Sequence, residues 1–276
     1  FYLDQAYVSV LAGAPEIMLF HYGSLISPEY RAQAEAFAPR RTELESLAKY
    51  VEGWNGIPAY KPPSSEPGNE EYIFDPIGML AVPLVPTAKF PEGSRAALFT
   101  NHALEDKEFV PKLVTFLKAG GTAFLTEGLA HRLNGDPRLP GKESLGLPKG
   151  KDLQSVELGG GKLVIFSDAL PRLAYVDSQN RVAQPSPEQR EALEALRKAV
   201  ADFAPTSLDA PPRVAVFPLK GRVAVVNFTE LPVDCHLAGL GGMVSRFKQV
   251  FATQGAQLAS DRVTMRLAPH SLLVIE

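Results

Sequence analysis

Three apolar runs around one amphipathic helix set the strongest limit on how this chain can fold. AALFT (96–100), GTAFLTEG (121–128) and KLVIFSD (162–168) read as strands with no polar face. Between the first two, KEFVPKLVTFLKAG (107–120) puts Phe109, Leu113, Phe116 and Leu117 on one helical face before Gly120 or Gly121 ends it. A strand apolar on both faces needs helices above and below it, so the segment predicts a doubly wound parallel α/β sheet. IGMLAVPLV (77–85) reads as a further strand of that sheet.

The flanks follow different rules. Ala6, Tyr7, Val10 and Leu11 recur at helical spacing up to Gly13, and the apolar run Ile17 to Phe20 in EIMLFHYGSL (16–25) reads as a short buried strand. Ser27 and Pro28 then open a helical stretch, and a second one runs from Thr42 to about Val51. Helix, buried strand, helix is a βα-repeat unit, which either joins the following sheet or closes a barrel begun upstream of Phe1. Residues 53–72, GWNGIPAYKPPSSEPGNEEY, read as a long irregular connection, and 133–150 as a surface flap. SPEQREALEALRKAVADFAP (186–205) is the clearest helix: Ser186 caps it, Gln189 completes a capping box, and Leu193, Leu196, Val200 and Phe203 form its stripe. After Pro211 and Pro212 come short strands, with Lys220-Gly221 as a hairpin turn, and they predict a small β-sandwich. The expected domains are therefore 1–52, 53–205 and 206–276.

Several function classes are excluded at this level. A formal net charge of -3 gives no broad positive field, so nucleic acid is not expected as a partner. No run approaches the roughly 18–20 apolar residues of a membrane span. The opening FYLDQAYVSV has no signal-peptide layout, and a chain beginning at Phe1 suggests a truncated or processed product. With Cys235 as the single cysteine there is no intrachain disulfide, and secreted, periplasmic and cytoplasmic locations all stay open. GxGxxG, GxxxxGK[ST], HExxH and GxSxG are all missing. Cys235 and His236 are neighbours in a strand, so they point to opposite faces and cannot form a thiolate–imidazolium pair. His131, His236 and His270 lack ligand spacing, so neither a metal nor a cofactor is expected. Asn227-Phe228-Thr229 fits a glycosylation pattern, but within a strand it reads as incidental.

Candidate site residues fall in three groups. His21 and Tyr22 directly follow an apolar strand, where parallel α/β folds bind ligands; they either contact a sugar or cap the rim of a core. Trp54, Asn55, Tyr60 and Lys61 combine aromatics, an amide and a cation, which suits a carbohydrate rim or pins the loop to the scaffold. Asn101, His102, Glu127 and Asp168 lie at the ends of three predicted strands. If those strands are neighbours, the residues converge on one crevice, with the two acids and His102 as a base; otherwise they cap the following helices.

QAYVSVLAGAPEIMLFHYGSL, LFTNHALEDKEFVPKLVTFLKAGGTAFLTEGLA, VAVVNFTELPV and RLAPHSLLVIE together resemble the C-terminal portion of multidomain, β-galactosidase-like glycoside hydrolases. The resemblance implies the end of a (β/α)8 barrel, then a flavodoxin-like class I glutaminase-like α/β domain without its nucleophilic cysteine, then a small β domain. It implies that the two catalytic carboxylates precede Phe1, that His21 and Tyr22 end the eighth barrel strand beside the innermost sugar, and that the isolated chain is not catalytic. Carbohydrate is the implied substrate partner, and the glutaminase-like domain implies homo-oligomerisation. A stand-alone carbohydrate-binding or oligomerisation module is the alternative, and an amidohydrolase or amidotransferase is a third.

Overall fold

The structure is a computed structural model that describes residues 2–14, 16, 27–68, 70–140, 145–176, 182, 184–204, 206–238, 248–259 and 264–276. Its centre is a six-stranded sheet formed by β1 (Ile57–Tyr60), β2 (Leu84–Thr87), β3 (Ala96–Phe99), β4 (Thr122–Thr126), β5 (Leu153–Leu158) and β6 (Gly161–Phe166). The strand order is β2-β1-β3-β4-β6-β5, parallel except for β5, which pairs antiparallel with β6. The fully parallel sheet expected from the sequence is thus closed by an antiparallel edge.

Alternation along the central strands sends side chains to two cores. Leu98, Phe124, Val164 and Phe166 meet one layer, which contains α4 (Phe74–Gly78) and α8 (Pro187–Ala201). Phe99, Leu125, Leu163 and Ile165 meet the other, which contains α5 (Phe109–Lys118) and α6 (Glu127–Leu133). The capping box of α8 forms as its sequence dictates: the Ser186 hydroxyl accepts from Gln189 N while the Gln189 side chain accepts from Ser186 N.

Two sequence expectations need correction here. The strand expected over 77–85 begins as helix α4, because Phe74, Ile77 and Leu80 turn to the core at helical rather than alternating spacing, and only 84–87 is strand. The connection expected over 53–72 contains the central strand β1.

The carboxyl-terminal unit is a sandwich. One sheet has the order β12-β13-β10-β7, from β7 (Ser207–Asp209), β10 (Val233–Ala238), β12 (Gln257–Leu258) and β13 (Thr264–Leu267). The other has the order β11-β14-β9-β8, from β8 (Val214–Leu219), β9 (Arg222–Asn227), β11 (Gln249–Ala252) and β14 (Ser271–Ile275). Cys235, Leu237, Met265 and Leu267 face Val216, Val225, Leu273 and Ile275 between the sheets. The second sheet is covered on its outer face as well. There α1 (Tyr2–Leu11) and α3 (Arg41–Ala48), with α2 (Arg31–Phe37) between them, contribute Tyr7, Leu11, Leu44 and Leu47 against Ala224, Val226, Leu272 and Val274. That is why β14 is buried at every position while β13 alternates. The run expected as a strand at 17–20 lies outside the described residues.

Buried Arg197 joins α8 to both units: its Nε donates to Leu80 O at 2.8 Å and its Nη2 to Ala210 O at 2.7 Å.

Candidate functional site

Strand order locates the site before any side chain is considered. From β1 the chain runs outward to β2, then crosses back to β3, β4 and β6 on the other side, so direction reverses between β1 and β3. Ligands of open α/β sheets bind at that point, beyond the carboxyl ends of the strands. Lys61 and Ser65 follow β1, Thr100 to His102 follow β3, Thr126 to Gly128 end β4 and open α6, and Ser167 with Asp168 precede α7 (Ala169–Arg172) after β6.

Glu70 folds over these ends from the long connection. Its Oε2 accepts from Asn101 N at 2.7 Å, and its Oε1 hangs above Gly128, where a Cβ would stand 2.9 Å away. Asn101 Nδ2 lies 3.3 Å from the same point. Glu70 and Asn101 are each only 8% exposed, yet Glu70 Oε1 and Asn101 Oδ1 have no hydrogen-bond partner among the described residues. Asp168 Oδ1 is buried without a partner too. His102, 2% exposed, turns Nδ1 to Ser65 O and Ser65 Oγ, each at 3.1 Å. Since Ser65 Oγ donates to Pro62 O at 2.6 Å, both Ser65 oxygens accept from the ring, and Nε2 is left as an unpartnered acceptor. Four such atoms lie around this one sheet edge.

The electrostatics match that inventory. Burial, and then the charge of Asp168, push the Glu70 carboxyl above the usual range, although the Thr126 hydroxyl and Asn101 N–H favour its ionised form. Burial also raises Asp168, with the charges of Glu127 and Glu71 adding to it and those of Arg172 and His131 opposing. Burial and the neighbouring Lys61 charge lower His102, which keeps the ring neutral. Around the rim Arg172 pairs with Glu71 at 3.0 Å, His131 approaches Glu127 at 3.6 Å, and Tyr175 OH reaches Glu71 at 3.4 Å. Tyr72, 46% exposed, stands edge-on to His102 with ring centroids 6.1 Å apart.

Ser65 and His102 are not arranged as a nucleophile and its base. The Ser65 proton goes to Pro62 O and the His102 proton sits on Nδ1, so the pair cannot generate an alkoxide. Cys235 is fully buried in the sandwich, where burial pushes its thiol up to about 12. Among the described residues, no group of three or more His, Cys, Asp or Glu is placed to hold a metal ion, and no helix is long and apolar enough to cross a membrane.

The sequence-predicted residues divide sharply. Asn101, His102, Glu127 and Asp168 do share the sheet edge. The caps are supplied instead by Thr100, which accepts from His102 N, and Thr126, which accepts from Leu129 N. Trp54, Asn55, Tyr60 and Lys61 do not assemble a rim, because the first two precede β1 and Lys61 follows it. Trp54 Nε1 donates to Leu11 O at 2.7 Å, with the ring over Gly13, and Asn55 Nδ2 donates to Leu219 O at 3.1 Å, so both pin the connection. Tyr60 is core, its hydroxyl on Asp106 at 2.8 Å; only Lys61, donating to Ser65 O at 3.4 Å, reaches the site. His21 and Tyr22 lie outside the described residues. Glu70, Glu71, Tyr72, Arg172 and Tyr175 were not singled out by the sequence; GNEEY carries no signal beyond its place in a long connection.

No family model matches the chain, and no curated protein matches it. Among solved structures it is similar to part of a catalytic mutant of Gan42B, a GH42 β-galactosidase from G. stearothermophilus, at 12% identity over 91% of this chain and 44% of that one, with a TM-score of 0.48. A β-galactosidase from Rahnella sp. R3 gives 8% identity, 90% and 45% coverage and a TM-score of 0.45. An exo-carrageenase GH42 from Bacteroides ovatus gives 13%, 90% and 33%, with 0.40. The chain thus spans less than half the length of each of these structures.

Proposed function

We propose that this chain is the accessory, non-catalytic portion of a glycoside hydrolase acting on O-glycosidic bonds. The observation that supports the reading is that, among the described residues, Ser65 and His102 are not arranged as a nucleophile and its base, and the thiol of Cys235 is sealed in the other unit. A doubly wound sheet followed by a β-sandwich supports the accessory part of this reading. The strand order β2-β1-β3-β4-β6 supports a flavodoxin-like, glutaminase-like reading of the α/β unit. In this reading the two carboxylates belong to a barrel preceding Phe1. His21 and Tyr22 shape its sugar subsite, and the α/β and β units serve oligomerisation or site shaping.

Peptide mapping of the product expressed from its native locus tests this. The expected result is roughly 300 further residues of alternating strands and helices ahead of Phe1. A product that begins at Phe1, or turnover of p-nitrophenyl glycosides by the isolated chain, overturns it.

A further inference from the structure

We infer that the outer edge of β5 is a pairing surface for a second copy of this chain, joined antiparallel across a twofold axis at Ser155. Ser167 N donates to Asp152 O at 2.9 Å, while Lys162 N donates away from β5, to Gly121 O at 3.0 Å. With that phase and the register of β5 on β6, Gln154, Val156 and Leu158 bond inward, and the N–H and C=O groups of Leu153, Ser155 and Glu157 face outward. β5 ends the sheet, and no hydrogen bond from the described residues meets those groups.

The other described edges are each closed to such pairing. On β2, Pro83 O and Thr87 O turn to β1, which leaves Pro86 facing outward without an N–H. Along β8 and its turn, Asn55 N donates to Pro218 O at 3.1 Å and Lys220 N to Glu52 O at 2.8 Å, so the preceding connection lies against that edge. β11 carries a register shift between Gln249 and Phe251, and β12 and β7 are only two and three residues long. β5 alone offers six residues in unbroken register with no proline.

Charge and symmetry identify the partner. A copy centred on Ser155 sets Leu153 of each chain opposite Glu157 of the other, and the two bonds of each opposed pair satisfy every outward N–H and C=O. Glu157, the single charge of the strand, is exposed and in no ion pair among the described residues. The pairing carries it away from its own counterpart and toward Lys151 of the second copy, which is exposed and unpaired as well. Of the remaining charges along this edge, Lys162 stands opposite Glu157 on β6 and favours it, and Asp152 accepts from the Ser167 hydroxyl at 2.6 Å. The inference gives the oligomerisation proposed above a defined surface but rests only on groups within this chain; a monomer would refute it and leave the glycoside-hydrolase reading to its own test.

That test is sedimentation equilibrium of the full chain up to about 1 mM, with hydrogen exchange of the β5 amides followed at low and high concentration. A monomer–dimer equilibrium is expected, from 29.9 kDa to twice that mass, with exchange at Leu153, Ser155 and Glu157 slowing as the dimer fills. Ser155→Pro removes an outward N–H that the fold itself does not use, and should weaken dimerisation by about tenfold or more. Glu157→Lys, which leaves the backbone alone, should weaken it several-fold, and adding Lys151→Glu should restore it. If Ser155→Pro fails to fold, the charge exchange decides alone. A monomer throughout, undiminished dimerisation of a folded Ser155→Pro variant, or no rescue by the charge exchange would each overturn the proposal.

Discussion

Gly128→Ala sets two opposing effects against each other at the candidate site. Gly128 is the second residue of α6, and replacing a helical glycine by alanine stabilises by up to about 1 kcal/mol. The new Cβ, however, would stand 2.9 Å from Glu70 Oε1 and 3.3 Å from Asn101 Nδ2. Glu70 cannot swing away freely, because its other oxygen accepts from Asn101 N at 2.7 Å, a bond to a charged group of the kind that contributes about 1.5–3 kcal/mol. Displacing the carboxylate loses that bond, so the substitution should destabilise the chain by about 0.5–2 kcal/mol. In a Glu70→Ala background the bond is already gone and the space is open, so the same change should stabilise by up to about 1 kcal/mol. The coupling between the two positions is then about 2 kcal/mol, well above the additivity error for independent sites. Urea unfolding of the four proteins of the cycle measures it. If Gly128→Ala stabilises equally in both backgrounds, Glu70 does not lie over α6 as described.

Arg197→Met should cost about 2–4 kcal/mol in urea unfolding, because Leu80 O and Ala210 O lose their donors while buried; Arg197→Lys, which cannot fork to both, should fall between, and a Met variant as stable as the parent would refute the linking role. Burial alone would raise the Asp106 carboxyl, but bonds from Lys112 Nζ, Tyr60 OH and Glu108 N prevail and hold it below the usual range. Its contribution is therefore present above the unfolded-state value near 4 and lost as pH falls through the lower folded-state value. Asp106→Asn should flatten the acid limb of the stability profile below about pH 4, and an unchanged slope would count against it. Cys235 should react with Ellman's reagent only after unfolding, since the thiol is fully buried and pushed up to about 12; reaction at native rates typical of exposed thiols would contradict that placement.

What could be read from the sequence depended on how local the deciding interaction is. The capping box of α8 closes within four residues, Ser186 to Gln189, and was legible outright. The hairpin of β5 and β6 was equally local, since Gly159 and Gly160 supply the two positive-φ positions of its turn, but the weakly apolar LQSVEL obscured it beside the continuous run of β6. Strand β1 was hidden by Pro58, which normally argues against a central strand. Pro58 is tolerated because β3 pairs with β1 only from Ala59 onward, so at Pro58 only the β2 side needs a ladder. At the site, the convergence of Asn101, Glu127 and Asp168 follows from strands β3, β4 and β6 being neighbours, which their apolar runs suggested. Glu70 was illegible because its partner Asn101 N lies 31 residues away, and only the fold-back of the connection brings the two together.

Asn227 shows why unpartnered atoms distinguish the site from mere polar burial. It is fully buried, and every capacity of its amide is filled: Nδ2 donates to Leu231 O and Ala268 O at 2.9 Å each, while Oδ1 accepts from Thr229 N at 2.9 Å and Thr229 Oγ1 at 2.8 Å. That amide is structural, and its engagement also accounts for the Asn-Phe-Thr sequence as an incidental match to a glycosylation pattern rather than an accessible acceptor. Asn101 is the same residue type and is also buried, yet among the described residues its Oδ1 has no partner, and it sits beside Glu70, of which only Oε2 accepts from Asn101 N. The fold is evidently able to satisfy a buried amide completely where only stability is at stake. Asn101 thus differs from Asn227 at the edge of the sheet where open α/β folds bind ligands.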